Sequence, residues 1–386
     1  MRIAIYHPWL HTRGGSEKVV LDIVKTLSKE NEITIFTGFY SSKNTFEEFK
    51  KIDIQVVKPS LNISNFLTRG ISSLLHYFLG KINLEKYDIF IVSSGGIGEL
   101  ICLRNHKKPT IIYCHTPLRA AHQFYDYYMR HYNVFKKILF WFGITGYRLL
   151  EKMSWRKIDF AICNSENTRN NLVKNMLINE AQTNVVYPGT DLKIFKPHRQ
   201  HKNYFLVSGR FKSYKRFELA IDAFKMFKNN NNKFKLIIAG SVDDYKYFEK
   251  IKNMAEVTGD IEIKMNVPET ELTRLYQNCF AYLFTAKNED FGIVPVEAMA
   301  CGKPVIAVNE GGVTETVVNG KSGFLVDADA NKFSEKMSLL VKDIKKYNVM
   351  SKAAVTRAKR FGMDIFNQKI KSVLNHFFVA SSPNLK

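Results

Sequence analysis

AYLFTAKNEDFGIVPVEAMACGKPVIAV, residues 281–308, holds two short apolar runs separated by a polar loop and a helix-length segment. Ala281 to Thr285 and Pro304 to Val308 lack the alternation of a half-exposed strand, so they read as strands of a parallel sheet covered on both faces. Between them a helix begins with Pro295 near its first position, where no N–H is needed. Gly302 and Pro304 stop it. The stretch is a strand–helix–strand unit.

The same pattern recurs in both directions. Towards the C-terminus a further strand falls at Gly323 to Val326, and upstream at Asn203 to Ser208, Phe234 to Ala239 and Ile261 to Met265. A separate series precedes these, at Arg2 to Tyr6, Glu32 to Thr37, Ile52 to Lys58, Tyr87 to Val92, Pro109 to Cys114, Asp159 to Cys163 and Asn184 to Tyr187. Two series of strands alternating with helices predict an α/β protein of two facing, Rossmann-like, doubly wound domains with a cleft between them. The polar stretch Pro197 to Lys202 sets the boundary: 1–198, then 199–363. A last helix over 364–386 is expected to cross back to the first domain, ending in a tail.

At 386 residues, 45% hydrophobic, the chain has material for two cores. Five cysteines are scattered, odd in number and without metal-ligand spacing, which argues for a reducing compartment. The N-terminus lacks the apolar core of a secretory signal, and no window matches a membrane span. The expectation is a cytoplasmic protein, peripheral at most on the inner face of the membrane. A net charge of +21 implies an anionic partner. Its spread along the chain, with no clustered basic-aromatic reader motif, points away from nucleic acid.

Ligands of open parallel sheets bind beyond the carboxyl ends of the strands, and the chemically distinctive residues fall there. The helix over Pro295 directs the amides of Gly292, Ile293 and Val294, with Phe291 just before them, at an anion. Glu289 and Glu297 flank that anion site, and carboxylates accept hydrogen bonds from vicinal hydroxyls such as those of a ribose or a hexose. The second segment is Ser208-Gly209-Arg210-Phe211-Lys212-Ser213-Tyr214-Lys215-Arg216. After a glycine turn at Gly209, Arg210 and Lys215 make an electropositive cup for phosphate oxygens, a guanidinium fork and an ammonium point charge. Gly14 and Gly15 allow close backbone approach. His115 closes a strand in Tyr113-Cys114-His115-Thr116-Pro117-Leu118-Arg119. Gly311 and Gly312 open another helix and are expected to add amides. Asp327-Ala328-Asp329 has the spacing of a metal-binding carboxylate pair, but it trails a strand and reads as a helix cap; no metal and no cofactor is expected.

Together these residues resemble the retaining glycosyltransferases of family 4, which have the GT-B architecture. The resemblance runs from Gly14-Gly15 through Arg210 and Lys215 to Glu289-x7-Glu297, with Gly302-Lys303-Pro304 and Gly311-Gly312 following. It implies that Arg210 and Lys215 neutralise a donor diphosphate and that Glu297 binds the ribose hydroxyls. Glu289 would hold the donor sugar, assisted by the amides from Phe291 to Val294, and His115 would lie against that sugar. The run around His115 is similar to the mannosyltransferase branch, which implies GDP-mannose as donor and a saccharide or lipid-linked acceptor. A UDP-sugar remains the alternative on the same fold. Two segments, Asn65 to Ile82 and Val134 to Lys157, carry apolar-aromatic and basic residues. They suit an anionic membrane surface as well as packing on the first sheet.

Overall fold

The structure, a computed structural model, describes residues 1–62, 66–198, 200–229, 231 and 233–381. Asn65, Arg199, the tail from Ser382 and the side chains of Phe66 and Leu67 lie outside the described residues. The chain forms two units, Met1–Tyr187 with Phe366–Lys386, and Pro188–Ile365.

In the first unit the strands are β1 (Arg2–Leu10), β2 (Glu32–Tyr40), β3 (Asp53–Val56), β4 (Ile89–Gly96), β5 (Thr110–Pro117), β6 (Phe160–Cys163) and β7 (Thr183–Val185). Helices α1 (Gly15–Leu27), α2 (Phe66–Leu79), α3 (Tyr125–His131), α4 (Val134–Trp155) and α5 (Glu166–Lys174) connect them. The seven strands are ordered β3-β2-β1-β4-β5-β6-β7, every pair parallel. Ile3 to Tyr6, Ile89 to Val92 and Ile111 to Cys114 are almost fully buried, as two-face coverage requires.

In the second unit the strands are β8 (Tyr204–Ser208), β9 (Lys235–Gly240), β10 (Ile261–Met265), β11 (Ala281–Phe284), β12 (Val305–Val308) and β13 (Gly323–Val326). The helices are α6 (Phe217–Lys228), α7 (Tyr245–Thr258), α8 (Glu269–Asn278), α9 (Ile293–Ala300), α10 (Val313–Thr316), α11 (Ala330–Lys342) and α12 (Ile344–Ala358), and α13 (Met363–Ser381) leads out of this unit. The six-stranded parallel sheet has the order β10-β9-β8-β11-β12-β13. Each sheet therefore reverses its order once, between β1 and β4 and between β8 and β11, and a crevice opens at such a switch point.

Three strands run past their expected ends. β1 continues through His7 and Pro8 to Leu10 because, beyond Tyr6, it still pairs with β2 on one side. A proline is tolerated there, with no ladder bond needed from its nitrogen. β4 extends to Gly96 and β5 to Pro117, joined through a register shift between Ser94 and Gly95. The polar residues read as loops are thus carried on the sheet itself.

The break between units lies at 187/188, not in the polar stretch after Pro197. Segment 188–198 is tied into the second unit: Thr190 N–H donates to the Phe361 carbonyl (2.8 Å), Met363 N–H donates to the Thr190 carbonyl (3.1 Å), and Lys303 Nζ donates to the His198 carbonyl (3.1 Å). From Phe366 onward α13 groups with the first unit, burying Phe366, Ile370, Val373 and Leu374. There Thr26 Oγ1 lies 2.6 Å from Asn367 Oδ1. None of the five cysteines forms a disulfide, and all five are buried.

Candidate active site

At the β8/β11 switch point the chain leaves β8 through Gly209, whose φ of +147° favours glycine. A Cβ there would also stand 3.4 Å from Lys215 Cε. Lys215 closes a single 3-10 turn, Ser213–Lys215, and Arg216 in left-handed geometry (φ 50°) starts α6. Lys215 therefore sits in the turn before the helix, not in the helix. Two bonds hold that turn against the β11 loop: Thr285 Oγ1 donates to the Lys215 carbonyl and Lys287 N–H to the Tyr214 carbonyl, both at 2.7 Å.

Across the switch point Lys215 Nζ meets Glu289 Oε2 at 2.7 Å, with side chains only 11% and 23% exposed. Cation and carboxylate, read from sequence as serving different parts of a ligand, pair with each other in this structure. Arg210 has a different partner: its Nη1 is 3.2 Å from Asp243 Oδ2, on the loop after β9. Desolvation opposes the Arg210 charge, yet Tyr214, Asp243 and Glu289 outweigh it and hold the guanidinium above its usual pKa.

Three residues beyond Glu289, Gly292 in left-handed geometry (φ 79°) caps α9 without any side-chain hydrogen bond. The amides of Ile293 and Val294 belong to its uncapped first turn, and Phe291 is buried against Phe361 at 5.7 Å between ring centroids. Pro295 is the third helical residue, two later than expected, still among the positions whose N–H has no intrahelical acceptor. Glu297 falls in the second turn, and the first turn has no acidic residue. A carboxylate there does little to complement the helix dipole, which acts within the first turn. Its charge instead reaches two buried tyrosines, Tyr276 and Tyr282. Burial, and after it the Glu297 charge, raises both phenols. Their hydroxyls meet Ser208 Oγ at 2.9 and 3.1 Å, a cluster under the end of β8 that sequence reading missed.

Gly312 does a different job from the one expected of it. The Gly312 amide is spent on the Glu289 carbonyl (2.8 Å). A Cβ on Gly311 would lie 2.5 Å from that carbonyl oxygen, and one on Gly312 2.0 Å from the Asp290 oxygen. The pair is a backbone seat for the Glu289 loop. Asp329 caps α11 by accepting from Lys332 N–H at 3.0 Å, and Asp327 pairs with the Lys332 ammonium. Among the described residues no group of three or more His, Cys, Asp or Glu side chains is placed to hold a metal ion.

The first unit carries its own cluster at the β1/β4 switch point. Gly14 precedes α1, and a Cβ on it would come within 2.5 Å of Glu17 Oε2, whereas Gly15 faces open space. Glu17 is buried and accepts from the Thr12 and Ser16 hydroxyls at 2.7 and 2.8 Å. Ser93, fully buried on β4, lies between two imidazoles: 3.0 Å from His7 Nδ1 and 2.8 Å from His115 Nε2. A hydroxyl has one hydrogen, so Ser93 can donate to only one of the two rings and at least one ring must donate its N–H to Ser93, which couples the tautomers of His7 and His115. Asn164 Nδ2 donates to the His115 carbonyl at 2.8 Å. Burial, with the neighbouring His7 charge, pushes the His115 imidazole down to about 3, so it is neutral at physiological pH. His7 and Ser93 each fall at strand ends where crevice residues are expected, but nothing local in sequence links residues 7, 93 and 115 to one another.

Comparison with known proteins agrees with this geometry. Residues 13–194 match the family model described as Glycosyltransferase Family 4, and residues 190–357 the one described as Glycosyl transferases group 1. The chain is 25% identical to an alpha-1,3/1,6-mannosyltransferase ALG2 of Dictyostelium discoideum, covering 97% of this chain and 98% of the relative. It is 28% identical to the ALG2 of Eremothecium gossypii over 90% of this chain and 77% of that one. Among solved structures, Anabaena Alr3699/HepE in complex with UDP and glucose superposes with a TM-score of 0.76 at 18% identity, covering 97% and 100% of the two chains.

Proposed function

We propose, from the premise that this chain belongs to the family 4 glycosyltransferases with the GT-B fold, that it moves mannose from GDP-mannose to a saccharide or lipid-linked acceptor with retention of configuration. The observation that carries the donor site is the Lys215–Glu289 pair at 2.7 Å beside the uncapped start of α9. The donor diphosphate would take Lys215 from Glu289. The ammonium and the α9 amides then meet the charge that grows on the phosphate as the sugar C1–O bond breaks. Glu289, released, accepts from the sugar hydroxyls, Glu297 from the ribose, and Arg210 swings from Asp243 to the distal phosphate oxygens. The family resemblance gives His115, which burial keeps neutral, the role of lining that sugar. The departing phosphate oxygen takes the proton of the acceptor hydroxyl as that hydroxyl bonds to C1. No protein nucleophile and no metal is needed in this scheme, because fixed cations and amides supply the electrostatic work. Mannose as the sugar is supported by the names of the full-length relatives and by the residues around His115.

Isothermal titration with GDP, UDP and ADP, followed by turnover of GDP-mannose, UDP-glucose and UDP-galactose, tests the donor. GDP is expected to bind at least tenfold tighter than the others, a difference of about 1.4 kcal/mol. Preference for UDP would move the assignment to a UDP-sugar donor.

A membrane-proximal acceptor is supported by α4 and α2. On α4, Val134, Phe135, Ile138, Leu139, Trp141 and Phe142 are all exposed, three of them beyond 60%, and Lys136 and Lys152 are exposed on the same helix, with exposed Arg156 at its C-terminal cap. On α2, Ile71, Leu74, Leu75, Phe78 and Leu79 are likewise exposed. Single exposed apolar residues are ordinary, whereas contiguous patches of this kind mark interaction sites. With basic residues beside them and a net charge of +21, an anionic bilayer surface is the complementary partner. No helix among the described residues is long and apolar enough to cross a membrane. In flotation with vesicles of phosphatidylglycerol and phosphatidylcholine at low salt, the protein is expected to float. Phe135→Ser/Phe142→Ser should reduce the floated fraction several-fold, since each buried aromatic contributes about 2 kcal/mol. Wild-type protein left at the bottom of the gradient would remove the membrane from this reading.

A further inference from the structure

Beneath the β4 end, on the side away from His115, lies a chain of buried polar groups for which the donor chemistry has no use. Ser94 Oγ donates to Glu99 Oε2 at 2.7 Å. Glu99 Oε1 is 2.7 Å from the Tyr147 hydroxyl oxygen, which also stands 3.0 Å from the Gly96 carbonyl oxygen and 3.2 Å from Glu151 Oε1. Glu151 in turn meets His122 Nε2 at 2.9 Å. Glu99 and Glu151 are 2% and 1% exposed. Tyr147 and Glu151 belong to α4 and Ser94 and Gly96 to β4, so the chain fastens that helix to the strand end.

Counting hydrogens decides its state. If both carboxylates were ionised, the single Tyr147 hydrogen would face three acceptors, and Glu99 Oε1 and Glu151 Oε1 would compete for it. One added proton on Glu99 Oε1 resolves this. Glu99 then donates to the Tyr147 oxygen, Tyr147 donates onward to Glu151, and His122 Nε2–H completes the series.

We propose that Glu99, Tyr147 and Glu151 are positioning residues for His115: a chain holding one extra proton, which clamps Ser94 to Gly96 against α4 and so keeps Ser93 under the His115 ring. The proposal rests on the reading of His115 as a residue lining the reacting sugar.

Ser93 and Ser94 divide the work, one hydroxyl facing the two histidines and the next facing the carboxylates. The register shift between Ser94 and Gly95, and the Gly96 φ of +129°, give this strand end a shape that the ladder alone does not fix. The groups facing Glu99 are Ser94 on β4, Cys102 on the 3-10 segment Gly98–Leu103 that also carries Glu99, Tyr6 on β1, Tyr77 on α2, and Tyr147 and Glu151 on α4; none carries a positive charge. Burial pushes the Glu99 carboxyl up to about 7, against the pull of the Ser94 and Tyr147 hydrogen bonds, and the Glu151 charge adds to the rise. A carboxyl whose folded pKa exceeds its unfolded value contributes stability that is whole below the unfolded value and is lost as pH rises through the folded one. The clamp should therefore loosen as pH rises through about 7.

The test measures kcat for GDP release from GDP-mannose (or from whichever sugar nucleotide the panel above selects) between pH 6 and 8.5, with GDP affinity and thermal unfolding over the same range. The wild-type kcat and melting temperature are expected to fall together on the alkaline side. Glu99→Gln, whose amide donates to Tyr147 without a titrating proton, should stay within about twofold of wild type at pH 6 and lose the alkaline fall in both. Tyr147→Phe should lower kcat about tenfold, the scale on which a slightly misplaced reaction-centre group acts, and leave GDP affinity unchanged. In His115→Ala the same Tyr147→Phe change should cost nothing further, as expected of groups acting through one another. Tyr147→Phe with wild-type kcat while His115→Ala is impaired overturns the positioning role alone. Full additivity in the double variant, or an undiminished alkaline fall in Glu99→Gln, also overturns it. His115→Ala at the wild-type rate overturns the reading of His115, and the positioning role with it.

Discussion

Lys215→Ala is expected to lower kcat/KM for sugar transfer at least ten- to a hundredfold, about 1–3 kcal/mol of lost transition-state stabilisation. The structure gives the loss two sources. The ammonium is paired with Glu289, three residues before the Gly292 cap of α9, and it is already seated, its turn fastened by Thr285 and Lys287 at 2.7 Å. Removing it also leaves Glu289, 23% exposed, without its 2.7 Å partner beside an incoming diphosphate. Two negative groups would then share the space one cation held, and like charges in partial burial repel strongly. Glu297→Ala should cost a comparable factor by another route. Its carboxylate is not needed for the helix dipole, so the fold is expected to melt as wild type while donor affinity falls. Steady-state kinetics with GDP titration separates the two, since the lysine should act mostly on kcat and the glutamate mostly on binding. Wild-type rates in both variants would dissolve the assigned site.

The two variants differ in how well the sequence foretold them, and the difference has a physical cause. Buried parallel strands are apolar throughout, so β8, β11 and β12 were legible to within a residue or so; burial writes itself into composition. β1, β4 and β5 read short because their extensions begin with residues untypical of buried strands, His7-Pro8, Ser93 to Gly96 and His115 to Pro117. At a switch point one neighbour has turned away, so the ladder continues on one side while the other is free for chemistry. The break between units was placed about ten residues late for a related reason. A polar run looks like a linker, but residues 188–198 are held by backbone bonds to Phe361 and Met363, which lie over 160 positions away. Lys215 and Glu289 were each identified, yet their pairing was not, since the match of side chains across a sheet switch has no local signature. The link of Glu99 to Tyr147 and Glu151 was invisible for the same reason, Glu99 being 48 and 52 positions from them.

Gly312→Ala is where the revised role of the second glycine pair has its largest consequence. Read from sequence, Gly311-Gly312 would offer amides to the ligand, and an alanine there would merely crowd the donor. In the structure Gly312 has an ordinary φ of −67°, so the backbone tolerates alanine and space decides the outcome. The new Cβ would sit 2.0 Å from the Asp290 carbonyl oxygen, 2.6 Å from its carbon and 2.7 Å from Phe291 Cα. All three are backbone atoms, and no side-chain rotation relieves them. Either the Glu289 loop or α10 must move, breaking the Gly312 N–H bond to the Glu289 carbonyl. Overpacking of this kind costs about 3 kcal/mol or more, and here it falls on the segment that carries Glu289 and delivers Gly292 to the start of α9. The expected result is a melting transition lowered by several degrees, accelerated hydrogen exchange confined to residues 285–312, and no detectable GDP binding at concentrations that saturate the wild type. Gly15→Ala is the comparison, since a Cβ there meets nothing within 4 Å and the position begins a helix; its melting should stay within about 0.5 kcal/mol of wild type. A Gly312→Ala protein with wild-type melting and wild-type GDP affinity would mean that the loop has slack the structure does not contain, and the seat assigned to the glycine pair would have to be abandoned.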